Sequence, residues 1–377
     1  MHVARPPRAS GAPASSAADF ATGTTSMASE ARPDWYGLPT KSAWKAPPAP
    51  EHAVPRGWSL EGRAQTVLGA VDPAVLGKTM MQEHLLVDLS KVVAVGPGAG
   101  PDGEYFWRLP AGDLPAVGGG LRFYGLMNEE DSRMDDIEEA IAGAELYKQF
   151  DGGCLVSPTG PEIGRDPRGL CRISMATGVH IVMGAGHYVG AAQDSTSMAA
   201  QTVAEIADTF VREVVHGVVL AQGNKMHRDG GWGVPTGVKA GIIGELGCSF
   251  PLQPGERKTL QAAAIAQRAT GAPIQVHPGR DASSPMQILR ELQSAGADLS
   301  RVVMCHMDRT VFTQGGALEI ARTGCFMEYD LFGNYVSGFC KFGIRFLSSA
   351  IERKHVVFFE RPFCVCVLLP AVMATLD

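Results

Sequence analysis

Gly241-Ile242-Ile243-Gly244-Glu245-Leu246-Gly247 is the stretch of this chain that decides its fold. It begins as an apolar run, which predicts a buried β-strand, and it ends with one carboxylate between glycines. A buried carboxylate is costly unless it is protonated, paired with a cation or bound to a metal. Glu245 therefore predicts a polar site at the carboxyl end of this strand.

Three further predicted strands also end in a residue type that binds metals. They are Met80-Met81-Gln82-Glu83-His84, Ile274-Gln275-Val276-His277 and Val302-Val303-Met304-Cys305-His306. In a barrel of parallel strands the carboxyl ends meet at one mouth, where the active sites lie. The pattern predicts a (β/α)8 TIM barrel with a metal at its mouth.

The rest of the folded region alternates between strand and helix patterns, which indicates a parallel sheet. The seven predicted strands cover residues 76–85, 153–156, 180–185, 241–247, 274–277, 302–306 and 324–330. The four predicted helices cover residues 131–150, 197–215, 254–270 and 285–295. A short strand at 64–69 is expected to close the bottom of the barrel.

The composition divides the chain into three regions. Residues 1–61 are rich in Ala, Pro, Ser and Arg and predict a disordered extension, with a transit peptide as the alternative. Residues 62–338 carry the barrel pattern and include a long loop at 92–126, which is either a lid or disordered. Residues 339–377 form a divergent tail, truncated or substituted, in which 355–360 is the candidate for the eighth strand that closure needs.

Charge and cysteine usage narrow the partners. A formal charge of −6 and a pI of about 5.9 argue against a nucleic-acid or anionic-membrane surface. No apolar run reaches the length of about 18 residues that a membrane span needs. The 8 cysteines form no C-x2-C pair, and buried reduced thiols favour the cytoplasm. The expected partner is a small-molecule substrate. The sequence is also compatible with a homodimer.

The residue types at the strand ends match a hydrolytic metal centre. Zinc takes histidine nitrogen and carboxylate oxygen, and two ions can share a bridging carboxylate. Glu245 is placed to bridge, while His277 and His306 complete one ion's shell. Gln82 and His84 lie two apart in a strand and face the same side, although an amide oxygen is a weak zinc ligand. A metal there polarises a carbonyl or phosphoryl oxygen and activates water.

Each ligand candidate also has an ordinary structural explanation. His84 alone is equally consistent with a core or surface histidine. Glu245 could pair with Lys239 or Arg280, and His277 could cap the turn that follows it. Because one glutamate and two histidines all fall at carboxyl strand ends, the metal hypothesis is favoured over these alternatives.

Five neighbouring residues are candidates for supporting the site. Asp308 and Arg309 follow His306 closely and either support the ligands or form a solvated loop pair. Arg280 either binds an anionic group of the substrate or is surface charge. Tyr329 and Asp330, at the end of the seventh strand, are expected to line the pocket.

Several motifs together resemble the phosphotriesterase family of the amidohydrolase superfamily, over residues 61–338. The motifs are Gln65-Thr66-Val67-Leu68-Gly69, Gln82-Glu83-His84-Leu85, Gly241-Ile242-Ile243-Gly244-Glu245-Leu246-Gly247-Cys248-Ser249, Val276-His277-Pro278-Gly279-Arg280, His306-Met307-Asp308-Arg309-Thr310 and Glu328-Tyr329-Asp330-Leu331-Phe332-Gly333.

The resemblance implies a barrel that holds two divalent ions, with zinc as the expected metal. It places Glu245 where a carboxylated lysine bridges the ions in bacterial members. His277 and His306 would hold one ion with Glu245, and His84 the other. Glu245 and His306 are also the candidate catalytic residues. The implied reaction is attack by activated water on an amide or ester bond, with N-acetyltaurine as the suggested type of substrate.

Two departures from the family pattern affect the ion held by His84. Gln82 stands where the family has the first histidine of a His-x-His motif. The aspartate that ends the family's eighth strand has no clear counterpart, and Glu360 is a weak substitute. These departures motivate an alternative, a catalytically impaired relative with a single metal site. A chain that does not fold stably, because an open barrel exposes strand edges, is a third reading.

Overall fold

The computed structural model describes residues 54–90, 133–220 and 235–330, and the backbone of one further strand at Val367–Leu369. The predicted loop at 92–126, the candidate eighth strand at 355–360 and most of the predicted N-terminal extension lie outside these residues. A short part of the predicted extension is among the described residues. Val54, Trp58 and Leu60 already pack against the hydrophobic core.

The described strands and helices alternate along most of the chain. The strands are β1 Ala64–Thr66, β2 Gly69–Val71, β3 Lys78–Met80, β4 Val87–Asp88, β5 Arg133–Met134, β6 Gly152–Ser157, β7 His180–Met183, β8 Ile243–Gly247, β9 Ile274–His277, β10 Val302–Met304, β11 Phe326–Tyr329 and β12 Val367–Leu369. The helices are α1 Ile137–Gln149, α2 Pro167–Thr177, α3 Ser195–Ala200, α4 Val203–Val215, α5 Pro254–Thr270, α6 Ser284–Ser294 and α7 Gln314–Ala321.

Seven of the described strands form the barrel wall in chain order. β3, β6 and β7 pair in parallel, and so do β8, β9, β10 and β11. A parallel bridge between Gly184 and Ile242 joins the two groups. All seven strands match those predicted from the sequence. Their carboxyl ends consequently meet at one mouth, as the (β/α)8 fold requires.

The strand beside β11 differs from the expected pattern. β12 pairs with β11 in the antiparallel direction, with Met327 opposite Leu369. An eighth strand of a (β/α)8 barrel would run parallel to its neighbours. Within the described residues, this edge of the wall is therefore where the chain departs from a regular barrel.

Capping residues explain where the predicted helix boundaries were wrong. The helix predicted at 131–150 begins only at Ile137, because the Asp136 carboxylate accepts the first free backbone N–H groups. The helix predicted at 197–215 is two helices, α3 and α4. Thr202 and Glu205 form a reciprocal capping box, which starts a new helix in the middle of the predicted one.

The hairpin formed by β1 and β2 closes the bottom of the barrel, as predicted. The Val67 N–H donates to the Ile181 carbonyl at 2.8 Å, and Gly241, just before β8, lies directly against the Gln65 carbonyl. The core fills the space between the wall and the helices, with Phe210 of α4 and Leu260 of α5 among its fully buried side chains. In the part of the chain that is described, no helix is both long and apolar enough to cross a bilayer.

Candidate metal centre

The structure brings Glu245, His277 and His306 together at the carboxyl ends of β8, β9 and β10. Oε1 of Glu245 lies 2.7 Å from Nδ1 of His277 and 3.3 Å from Nε2 of His306. The two facing ring nitrogens are 3.1 Å apart. Glu245 is only 1% exposed. Its polar contacts are to histidines, so the predicted alternative of an ion pair with Lys239 or Arg280 is not what the structure shows.

The local backbone explains why these residues reach one point. A Cβ on Gly244 would lie 2.5 Å from the Gln275 carbonyl oxygen, so only glycine lets β8 approach β9 closely enough at this level. His306 has φ 55°, in the left-handed region that histidine rarely adopts. Such a conformation costs about 1–3 kcal/mol and is typical of functional sites. It turns the imidazole of His306 toward Glu245.

The electrostatics keep Glu245 charged and His277 neutral. Burial by itself raises the pKa of Glu245, but His277, and then the hydrogen bond from His306 and the nearby imidazole of His84, hold that pKa well below its usual value. Burial, opposed by Glu245 and reinforced by the charge of Arg309, lowers the pKa of His277 to about 3. An ionised carboxylate beside a neutral imidazole is the form in which both groups bind a cation.

Asp330 orients the second histidine. One of its carboxylate oxygens lies 2.5 Å from Nδ1 of His306, and the residue is 2% exposed. Burial by itself lowers the pKa of His306, but the Asp330 carboxylate outweighs it and the pKa rises to about 9. With Nδ1 engaged by Asp330, Nε2 of His306 faces Glu245 and His277. A carboxylate behind a histidine in this way is the usual support of a metal ligand.

Arg309 orients the first histidine from the other side. Its guanidinium donates to Nε2 of His277 at 2.8 Å and to the Pro278 carbonyl at 3.3 Å. Arginine can only donate, so Nε2 of His277 accepts and the proton of the neutral ring lies on Nδ1, which donates to Glu245. That proton must leave Nδ1 before this nitrogen binds a cation. Arg309 was a candidate either for a supporting residue or for one half of a solvated loop pair. The structure places it at 7% exposure against the site, as a supporting residue.

His84 lies on the opposite side of Glu245. Its Nε2 is 3.5 Å from Oε2 of Glu245, and its Nδ1 is 2.9 Å from the Thr159 hydroxyl. Glu245 therefore spans two positions, as a bridging carboxylate would. Oε2, the oxygen that faces His84, makes no hydrogen bond within the described residues.

Gln82 reaches the same region but presents a different group. Its Oε1 accepts a hydrogen bond from Nε2 of Gln275 at 2.7 Å. Its Nε2 lies 3.5 Å from Nε2 of His84. The amide oxygen, the only atom of Gln82 with which it would bind a metal, is thus turned away from His84.

The two predicted substrate-binding residues lie in different surroundings. Arg280 is half-buried in the loop that follows β9, at the mouth of the barrel. Tyr329 lies in the hydrophobic core and is 2% exposed. It alternates along β11 with Glu328, whose carboxylate lies beside Gln275 inside the barrel. This placement turns Tyr329 toward the helices and gives no support to the expectation that it lines the pocket.

Gln275 and Thr159 were not singled out from the sequence as site residues. Gln275 could have been found by strand parity, because it lies two residues before His277 in β9 and so faces the same side. Thr159, in the loop after β6, carries no pattern that points to His84. Only the folded chain brings the two together.

A divalent cation fits the three-residue cluster. Tetrahedral zinc holds nitrogen and oxygen ligands at about 2.0–2.2 Å, which places neighbouring ligand atoms roughly 3.3 Å apart. The three donor atoms of Glu245, His277 and His306 are separated by 2.7, 3.1 and 3.3 Å. Among the described residues, these three form the group whose ligand atoms are close enough to share one ion.

The fold and this site define a class, the barrel hydrolases with a metal centre at the mouth. Comparison with known proteins narrows the class. The profile described as "Phosphotriesterase family" matches residues 62–357, which is most of the chain. The chain belongs to the phosphotriesterase family, and the predicted fold class is confirmed.

Relatives of known name are similar over most of their length. The N-acetyltaurine hydrolase of Homo sapiens is 41% identical over 276 residues, which cover 73% of this chain and 73% of the human protein. The N-acetyltaurine hydrolase of Danio rerio is 37% identical over 278 residues, with 74% of each chain covered.

Solved structures agree on the fold. A resiniferatoxin-binding protein from Rhodobacter sphaeroides superposes with a TM-score of 0.58 at 32% identity, covering 73% of this chain and 71% of its own. An organophosphorus hydrolase from Deinococcus radiodurans gives a TM-score of 0.57 at 25% identity, covering 80% of this chain and 78% of its own.

Proposed function

We propose that this chain is a zinc-dependent hydrolase that cleaves an amide or ester bond in a small substrate, with N-acetyltaurine as the first candidate. The observation that carries the proposal is the convergence of Glu245, His277 and His306 on one point at the barrel mouth. The substrate is suggested by relatives named N-acetyltaurine hydrolase that are about 40% identical.

Each residue of the site has a separate role in the proposed reaction. A divalent ion held by the cluster would polarise the scissile carbonyl and make water a nucleophile at neutral pH. Glu245 supplies the negative charge that retains the cation in a buried pocket. Asp330 and Arg309 hold the imidazoles of His306 and His277 in their binding orientation. Arg280 supplies positive charge at the mouth, which suits the sulfonate of N-acetyltaurine.

The test is an assay of taurine release from N-acetyltaurine by the purified full chain. We expect turnover that is lost on chelation and restored by added Zn²⁺. Glu245→Gln is the matched inactive variant, because it keeps the shape of the side chain and removes its charge. Turnover that survives both chelation and Glu245→Gln would refute the proposal.

A catalytically impaired relative is the second candidate, and the orientation of Gln82 favours it. The same assay separates the two functions, provided that metal content is measured on the same sample. Bound metal without turnover of any N-acyl amine or ester supports the impaired relative. Normal turnover rules it out.

We also propose a cytoplasmic location. The support is that Cys154, Cys171, Cys248, Cys305 and Cys325 are free thiols in the described part of the chain, four of them buried. Fractionation of cells that express the tagged full chain tests this, and recovery with an organelle or in the medium would contradict it.

A further inference from the structure

The position beside His84 is controlled by a pair of glutamines. Nε2 of Gln275 lies 2.8 Å from the Met81 carbonyl oxygen and 2.7 Å from Oε1 of Gln82. Amide oxygen and nitrogen are assigned from their hydrogen-bond partners. A backbone carbonyl only accepts, so the atom of Gln275 that faces Met81 must be its nitrogen. That nitrogen donates, so the atom of Gln82 that faces it must be its oxygen.

These hydrogen bonds form a relay from the Met81 carbonyl through Gln275 to Gln82. The relay determines which atom of Gln82 faces the site. With its oxygen facing Gln275, its nitrogen faces His84 at 3.5 Å. A neutral amide nitrogen carries two hydrogens and serves as a donor. Cys305 adds to the same arrangement, since its Sγ lies 3.6 Å from the same amide oxygen. A donor therefore occupies the side of His84 at which a metal would need a second ligand.

Reversing the amide of Gln82 is unfavourable. It would place two NH₂ groups against each other and remove one acceptor from Gln275, which is fully buried. Leaving a buried donor without its partner costs about 1–3 kcal/mol. Gln275 cannot turn in compensation, because its oxygen would then face the Met81 carbonyl.

We propose that this chain binds a single divalent ion, between Glu245, His277 and His306, and that the relay from Met81 through Gln275 to Gln82 excludes a second ion beside His84. The inference rests on the proposed function only in assuming that the cluster binds metal. It differs from the two-ion centre that the family resemblance implies.

Metal stoichiometry tests the inference directly. The full chain would be stripped, loaded with Mn²⁺ and desalted, and its metal content and electron paramagnetic resonance spectrum recorded. We expect one Mn²⁺ per chain and the six-line spectrum of an isolated ion, both lost in His277→Ala. Two ions with a spin-coupled spectrum, or one ion that survives His277→Ala, would overturn the inference. Absence of bound metal would overturn the proposed function as well, so the two failures are distinguishable.

Two variants at one position test the role of the relay. Gln82→His replaces the amide with an imidazole two residues before His84, and we expect its metal content to rise above one ion per chain. Gln82→Met removes the amide without adding a ligand and should stay at one. If Gln82→His folds, as shown by a cooperative melt, and still binds one ion, the relay is not what excludes the second. If it does not fold, the stoichiometry and spectrum of the unmodified chain still decide the main claim.

Discussion

The two sides of Glu245 are built from similar residues but differ in what they offer a cation. On one side, Oε1 faces Nδ1 of His277 and Nε2 of His306, at separations that suit one ion. On the other side, Oε2 faces a single imidazole, that of His84, and the neighbouring amide of Gln82 turns its nitrogen inward.

The comparison shows that the orientation of the side chains, and not the residue types alone, decides whether a metal site is complete. The ligands of the first side are held from behind, His306 by Asp330 and His277 by Arg309. Gln82 is also held from behind, by Gln275, but in the orientation that hides its oxygen. The same kind of supporting contact thus builds one site and closes the other.

The largest effect is expected from Glu245→Gln, because the substitution removes the negative charge that faces both positions. Losing one partner of a buried charge contact costs about 3–5 kcal/mol, equivalent to about 10²–10⁴-fold in affinity. We expect Zn²⁺ affinity, measured by titration calorimetry, to fall by that factor. Glu145→Gln, at an exposed position of α1, is the control and should bind normally. A Glu245→Gln variant that binds within tenfold of the unmodified chain would contradict the bridging role.

Asp330→Asn should weaken only the first side. The variant keeps the shape of the side chain but removes the charge that holds His306, and loss of such a supporting contact typically costs 10–100-fold in metal affinity. A purely structural role would leave the pH dependence of binding unchanged. We expect that dependence to shift to lower pH, because the charge that raises the pKa of His306 is gone. An unmoved pH profile would argue against this assignment.

The pH dependence itself distinguishes the two histidines of the first side. Burial lowers the pKa of His306, but Asp330 raises it overall to about 9, so below that pH a proton must leave before a cation binds. Affinity for Mn²⁺ should therefore rise by up to about tenfold per pH unit between pH 7 and pH 9, and then level off. His277, with its pKa lowered by burial to about 3, adds nothing in this range. Binding that is flat from pH 7 to pH 9 would refute the assignment.

The smallest effect is expected from His84→Asn. His84 is partly exposed, and of the two carboxylate oxygens of Glu245 it approaches only Oε2, at 3.5 Å. Partly exposed ion pairs of this length contribute about 0–1 kcal/mol. Binding of the first ion should change by less than about tenfold, and the metal content should stay at one. Loss of that ion from His84→Asn would show that the two sides are not separate.

Much of the fold was predictable because hydrophobic pattern and strand length are local properties. The seven barrel strands were all found in this way, and α5 was predicted with its observed ends at Pro254 and Thr270. The helix boundaries at Ile137 and Thr202 were missed, because side-chain capping bonds rather than apolar spacing decide them. The expectation for Tyr329 rested on its place at a strand end and took no account of which face of the strand it occupies.

The sequence alone determined the class of fold and the three principal ligand candidates, since a carboxylate and two histidines at carboxyl strand ends are readable from strand patterns. Tertiary structure decided the rest. Gln82 and Gln275 are 193 residues apart in the chain, and so nothing local could indicate which atom of Gln82 faces the site. The orientation of an amide depends on its hydrogen-bond partners, and those partners are adjacent only after the barrel has formed.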